Sequence, residues 1–378
     1  MGEQVNIGSE QPVRPSIGRY YRPELDVLRC VAFLMVFLMH SIPPETGTSR
    51  WLVAFSVAAA FGVPVFFTLS AFLITELLTL EKRSKGSLDV KAFYVRRILR
   101  IWPLYFLILG SAFSVSWIHY HGLIPVSALV AFLFFMGNWY TGKHGYLSSG
   151  AGPLWSISVE EQFYIIWPLF VRVLSRRIMG VMCILAWVGS QIAVILLCLN
   201  HVQIATTLWT NSLVQLQYLA LGAGVSLLLN GSTPAFRVRT RLLMVILAAI
   251  ILYAPVFIFI PVPFVDVSSV GSTYPMFLFA GAAVTILLLA LLGCSSLESW
   301  HVLRYLGKIS YGLYVFHGLC LGILERIAFH LHVQPSSFTS AVLGLASTIA
   351  VAAVSYRYFE SPFLRLKGRF EVVKSRSV

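Results

Sequence analysis

Apolar runs of membrane-crossing length, separated by short polar segments, set the pattern of this chain. At 1.5 Å per residue, a helix needs about 20 mainly apolar residues to cross a bilayer. Ten stretches are candidates: 25–42, 52–78, 101–118, 161–175, 178–200, 208–229, 242–260, 275–293, 309–329 and 338–357. An eleventh run, 123–136 (LIPVSALVAFLFFM), is shorter and has Pro125 near its start. The pattern predicts an all-α fold, a polytopic transmembrane helical bundle of about ten spans plus a re-entrant or interfacial segment. No internal repeat or low-complexity tract interrupts it. One transmembrane domain is therefore expected over 21–365, with cytoplasmic tails at 1–20 and 366–378.

Lysine and arginine orient the bundle, because cytoplasmic loops carry the excess of both. If 123–136 dips rather than crosses, ten spans leave both termini in the cytoplasm. Of the 28 lysines and arginines, only Arg50, Lys143 and Arg326 then fall outside. A crossing at 123–136 would flip every later loop and erase most of that asymmetry.

Composition narrows the class further. Hydrophobic residues make up 58% of the chain and charged residues only 11%, against about 25% charged in soluble domains. A water-soluble globule, a disordered chain and a disulfide-knit secreted domain are all excluded. The net charge of +13 does not indicate nucleic acid, since the basic residues lie between apolar segments. The expected partners of that surface are membrane lipids. The five cysteines show no metal-ligand spacing, and no metal motif, phosphate-binding loop or dinucleotide fingerprint is present.

Ionisable groups inside apolar spans are costly and tend to mark function. Four clusters stand out. In the first span (21–41), Asp26 and Arg29 are close enough along a helix to pair. Arg29 and His40 are eleven residues apart, which places them on one face about 16 Å apart in rise. The pair reads either as an interfacial anchor with a helix-end histidine, or as a polar track ending in a general base or nucleophile. In the second cluster, Arg97 and Arg100 flank the third span, as an ordinary anchor or as a phosphate clamp.

The third cluster, GPLWSISVEEQFYIIWPLF (152–170), puts adjacent carboxylates at the start of a span. Glu160 shares a face with Tyr164, while Glu161 points about 100° away. Ser158 and Glu161 fit a capping box, which gives Glu161 a structural role and leaves Glu160 for function. In the fourth, Lys308, Tyr311, Tyr314 and His317 recur every three residues. That stripe reads as interfacial aromatics or as the lining of a cavity.

Together these clusters resemble the acyltransferase-3 family of integral membrane acyltransferases, which includes sugar and polysaccharide O-acetyltransferases. The resemblance covers about 20–365. It rests on R-x10-H (Arg29 to His40), FFTLSAFLIT (66–75), R-x2-R (Arg97, Arg100), WSISVEEQFY (155–164) and ISYGLYVFH (309–317). Two positions depart from the family pattern: Cys30 and Ala71 stand where the family often has glycine.

The resemblance implies an acyl group, often acetyl, moved from cytoplasmic acyl-CoA to a hydroxyl of a sugar or other acceptor. The setting it implies is a bacterial inner membrane. His40 matches the family's essential histidine, expected here as general base, with Glu160 or Asp26 orienting it. Arg29, Arg97 and Arg100 are expected to handle acyl-CoA. Tyr311, Tyr314, His317, Trp155, Ser158 and Tyr164 are expected to line the substrate pocket, with Tyr314 or Ser158 donating to the oxyanion. No metal is required, because a thioester is already activated. The competing class is a transporter of a small organic acid or glycan precursor, which would favour inverted repeats and broken helices in matching halves.

Overall fold

A computed structural model describes residues 20–41, 49–119, 124–147, 150–260, 266–333 and 336–371. The expected tails, apart from Tyr20 and residues 366–371, lie outside the described residues, as does Leu123 of the eleventh run.

All the elements are helical: α1 (Pro23–Ser41), α2 (Arg50–Ala60), α3 (Gly62–Lys85), α4 (Val90–His119), α5 (Val126–Leu133), α6 (Gly137–His144), α7 (Leu154–Val173), α8 (Arg176–Leu199), α9 (Ser212–Leu229), α10 (Val238–Phe259), α11 (Thr273–Leu291), α12 (His301–Lys308), α13 (Ser310–His330), α14 (Ser337–Ser355) and α15 (Ser361–Lys367). Among the described residues, eight helical stretches are long and apolar enough to cross a membrane. α1 and α7, of 19 and 20 residues, are of comparable length but more polar. These two helices carry the carboxylates that the sequence singled out.

The eleventh run forms the eight-residue α5, about 12 Å long and too short to cross. It turns back through α6, which the sequence pattern did not predict. Two boundaries also differ from expectation. The run 52–78 is broken between α2 and α3, because Pro64 has no N–H and would clash with the carbonyl of Ala60 four residues back. α4 starts at Val90, well before the expected 101, so Arg96, Arg97 and Arg100 lie within the helix rather than beside it.

Contacts between helix ends sort them onto two faces. On one, Lys82 at the end of α3 donates to the carbonyls of Val171 and Leu174 at the end of α7 (2.7 and 3.1 Å). Arg83 reaches Asn230 after α9 (3.2 Å), and Arg241 of α10 reaches Ala290 of α11 (2.6 Å). Glu24 of α1 accepts from Gly293 after α11 (3.0 Å). On the other face, Arg50 at the start of α2 donates to Phe257 near the end of α10 (2.9 Å). Tyr146, between α6 and α7, donates to Ala205 before α9 (2.7 Å). α3, α7, α9 and α11 thus end on the face where α1 and α10 begin.

The centre of the bundle is α3 packed on α9. The Arg50–Lys85 window is 72% buried, whereas that of α10 is only 17% buried and faces outward with Leu242, Leu243, Ile246 and Ile250. Two glycines set the closest approaches. A side chain at Gly222 of α9 would overlap the Thr68 carbonyl of α3, and one at Gly307 of α12 would overlap the Asp26 carbonyl of α1. Gly222→Ala is therefore expected to destabilise the bundle by about 1–3 kcal/mol through overpacking. Gly224→Ala, whose new Cβ would meet nothing closer than Cys183 at 3.8 Å, should be neutral or mildly stabilising. Thermal unfolding in detergent checks both, and equal losses for the two would contradict this packing.

Candidate active site

The charged positions of α1, α3, α4 and α7 face inward because the apolar faces of these helices pack on one another and on the neighbouring spans. Together with α13 and α15 they enclose a cavity of about 190 Å³. Its mouth lies at the start of α1. There Tyr20 donates to Glu76, and Arg22 pairs with the same carboxylate (2.8 Å). Burial, reinforced by the Glu76 carboxylate, pushes the Tyr20 hydroxyl far above the ordinary tyrosine range, so it stays a neutral donor.

Ion pairing within the cavity is uneven. Arg29 pairs with Asp26 at 2.7 Å, Arg96 with Glu81 at 3.0 Å, and Lys367 with Glu371 at 3.1 Å. Among the described residues, neither Arg97 nor Arg100 forms an ion pair. The Arg97 guanidinium lies over the rings of Phe93 and Tyr164 (5.4 and 5.6 Å), and its Nε has no hydrogen-bond partner. Two enclosed guanidinium groups with no ion pair among the described residues are suited to the oxygens of an anion.

Deeper in, Tyr164 donates to Glu160 at 3.0 Å. Its proton being spent there, the 2.5 Å contact with Ser70 has the serine as donor. The wall ends where Ser156 and Tyr314 share a hydroxyl contact at 2.7 Å. Beyond them lie two histidines. The Tyr314 ring is 5.6 Å from that of His317, which stands edge-on to His40 at 4.8 Å. His317 is fully enclosed, and His40 is exposed at the rim.

The tautomer of each histidine follows from its partner. Nδ1 of His40 meets the Val36 carbonyl at 2.8 Å, and Nδ1 of His317 meets that of Tyr314 at 2.5 Å. A carbonyl can only accept, so each Nδ1 carries the proton and each neutral ring offers its lone pair at Nε2. Nε2 of His317 is buried without a partner among the described residues.

The structure thus brings Asp26, Arg29, Arg97, Arg100, Glu160, Tyr164, Tyr311 and Tyr314 to one cavity. Several expectations need correction. Trp155 and Ser158 do not line it. With Glu160 as reference, Ser156 and Tyr164 lie about 40° to either side, whereas Trp155 and Ser158 lie about 140° and 160° round the helix. Trp155 packs against Phe67, with ring centroids 6.4 Å apart. Ser158 is no helix cap, because α7 begins four residues earlier at Leu154. Glu161 accepts from the Trp102 indole at 3.2 Å instead. Asp26 cannot orient His40, since fourteen residues of helix, about 21 Å, separate them. The Lys308 stripe is interrupted at Ile309, between α12 and α13, and Lys308 rests over Tyr356. His40 and His317 stand one layer beyond the cavity wall.

Ser70, Ser156, Arg96 and Lys367 are wall residues that sequence reasoning missed. A lone serine in an apolar run carries no pattern. Arg96 was masked by its neighbour Arg97, and Lys367 lay in a stretch read as a tail. Among the described residues, no group of three or more His, Cys, Asp or Glu could hold a metal ion.

The acyltransferase-3 model, described as an acyltransferase domain, matches residues 22–357. The chain belongs to the acyltransferase-3 family. Among curated relatives, the "Putative peptidoglycan O-acetyltransferase YrhL" of Bacillus subtilis is 29% identical over 92% of this chain and 55% of its own length. The peptidoglycan O-acetyltransferase OatA of Listeria monocytogenes is 25% identical over 91% of this chain and 56% of its own. The acyltransferase-3 chain described here therefore spans about half the length of the relatives it matches. No solved structure matches it. Lys367 and Glu371 lie beyond the stretch that the acyltransferase-3 model covers, yet they line the same cavity.

Proposed function

We propose that this chain transfers an acyl group, acetyl by the naming of its relatives, from acyl-CoA to a hydroxyl of a carbohydrate acceptor. The observation that carries the reading is the pair of enclosed arginines, Arg97 and Arg100, with no ion pair among the described residues. The face holding Lys82, Arg83 and the cavity mouth is the cytoplasmic one, because basic residues concentrate there. Acyl-CoA enters from that side, of a bacterial plasma membrane, with its phosphates on Arg97 and Arg100. Its pantetheine arm runs past Glu160 and Ser70 toward Tyr314.

At the far end, Nε2 of His40 takes the proton of an acceptor hydroxyl arriving at the exposed rim. The hydroxyl oxygen attacks the thioester carbonyl, and Tyr314 or Ser156 donates to the oxyanion. Collapse breaks the C–S bond, and the His40 imidazolium returns the proton to the departing thiolate. Ser156 replaces Ser158 as a donor in this scheme because it shares the cavity face with Glu160. The transporter reading is not favoured by membership of an acyltransferase family.

Purified protein in detergent with radiolabelled acetyl-CoA tests the donor without needing the acceptor. Saturable binding displaced by CoA, with slow release of acetate, is expected. Failure of well-folded protein to bind any of a panel of acetyl-, butyryl- and palmitoyl-CoA would overturn the reading.

A further inference from the structure

We propose that α15 and the turn after it complete the donor site, and that Lys367 is a third phosphate-binding cation beside Arg97 and Arg100. The inference rests on the acyl-CoA reading above and deepens it. Lys367 lies ten residues past the end of the family match at 357, in a stretch where the sequence shows no motif. The fold nonetheless returns it to the mouth of the cavity that Arg97 and Arg100 line.

Three observations support the assignment. First, the element carrying Lys367 is fixed. Arg96 bridges from α4, giving one guanidinium nitrogen to Glu81 at 3.0 Å and another to the Phe370 carbonyl at 2.7 Å. Ser361 is tied back to the Tyr356 carbonyl at 2.7 Å. Arg96 is thereby spent as a latch, and Arg22 and Arg29 are held by Glu76 and Asp26, which leaves Arg97, Arg100 and, once Glu371 is displaced, Lys367 for a ligand. Second, Lys367 is only 12% exposed and stands close enough to Arg97 and Arg100 to be repelled by both. Three enclosed like charges at one mouth cost stability unless a polyanion neutralises them. Third, Lys367 pairs with Glu371, one turn along at 3.1 Å and itself 12% exposed. That carboxylate is a local stand-in that an incoming phosphate can displace.

The ligand chemistry that fits is several phosphate groups on one molecule, as in the nucleotide end of CoA. A phospholipid headgroup offers similar oxygens, so the test must separate the two. The readout is slow thioester hydrolysis by the whole chain in detergent. Lys367→Ala is expected to raise KM for acetyl-CoA about 10-fold with kcat unchanged. For acetyl-pantetheine, which lacks the phosphates, kcat/KM should stay at the wild-type level. Lys367→Arg should restore most of the acetyl-CoA KM, and thermal unfolding should show both variants folded.

An equal loss on both thioesters, or no loss on acetyl-CoA, would overturn the assignment. So would a loss seen only in nanodiscs containing anionic lipid, which would make the residue a lipid contact. If wild-type protein handles neither thioester, the donor reading fails and takes this inference with it. If wild type uses acetyl-CoA and Lys367→Ala matches it, this inference alone fails.

Discussion

His40→Ala is expected to lower acyl transfer by about 10²–10⁴-fold, the range for loss of a positioned general base, while acetyl-CoA binding stays near the wild-type level. The separation follows from the layering of the site. His40 stands at the exposed rim, beyond Tyr314 and His317, whereas Arg97 and Arg100 lie in the cavity itself. Removing the imidazole therefore leaves the donor's anionic end undisturbed. Its Nδ1 is held by the Val36 carbonyl at 2.8 Å, so Nε2 is the lone pair lost. The checks are acetyl-CoA binding, thioester hydrolysis and transfer to an acceptor glycan, each on protein of normal thermal stability. Wild-type transfer by well-folded His40→Ala would remove His40 from the chemistry.

Replacing Arg97 or Arg100 by alanine should raise KM for acetyl-CoA about 10–100-fold each, the worth of charge-assisted hydrogen bonds in an enclosed site. The two are one turn apart and serve one ligand, so their effects should not add. Stability provides a second readout. An interfacial anchor would leave the protein weaker when removed. Enclosed guanidinium groups with no ion pair among the described residues already cost desolvation energy, so Arg97→Ala should unfold no earlier than wild type. Lysine should not substitute fully, since it lacks the planar fork that matches phosphate oxygens. Unchanged KM in both single variants would transfer the donor's anionic end to another part of the chain.

The correct readings share a physical basis with the incorrect ones. Span positions follow from a local property, the length of an apolar run against bilayer thickness. α5 was legible as too short for that reason. The family anchors are likewise contiguous stretches. The capping box failed because it was also read locally. SVEE has the composition of a helix start, but α7 had already begun at Leu154. The Glu160–Tyr164 face is the one that lines the cavity, and the serine that shares it is Ser156 rather than Ser158.

What the chain's order of residues determined by itself is the all-helical bundle, its dipping segment, the family and most of the polar side chains at the site. Only the tertiary structure decided which charges are neutralised. Arg96 and Arg97 are indistinguishable in sequence, yet one is bound by Glu81 on α3 and the other is left without an ion pair among the described residues. Only the fold sets His317 against His40, 277 positions away, or returns Lys367 to the cavity mouth. The reason is geometric. Periodicity fixes which side chains share a face, whereas ion pairing depends on how each helix is rotated and how closely it is seated. Those are set by contacts such as Gly222 on Thr68 and Gly307 on Asp26, between residues that no local window contains.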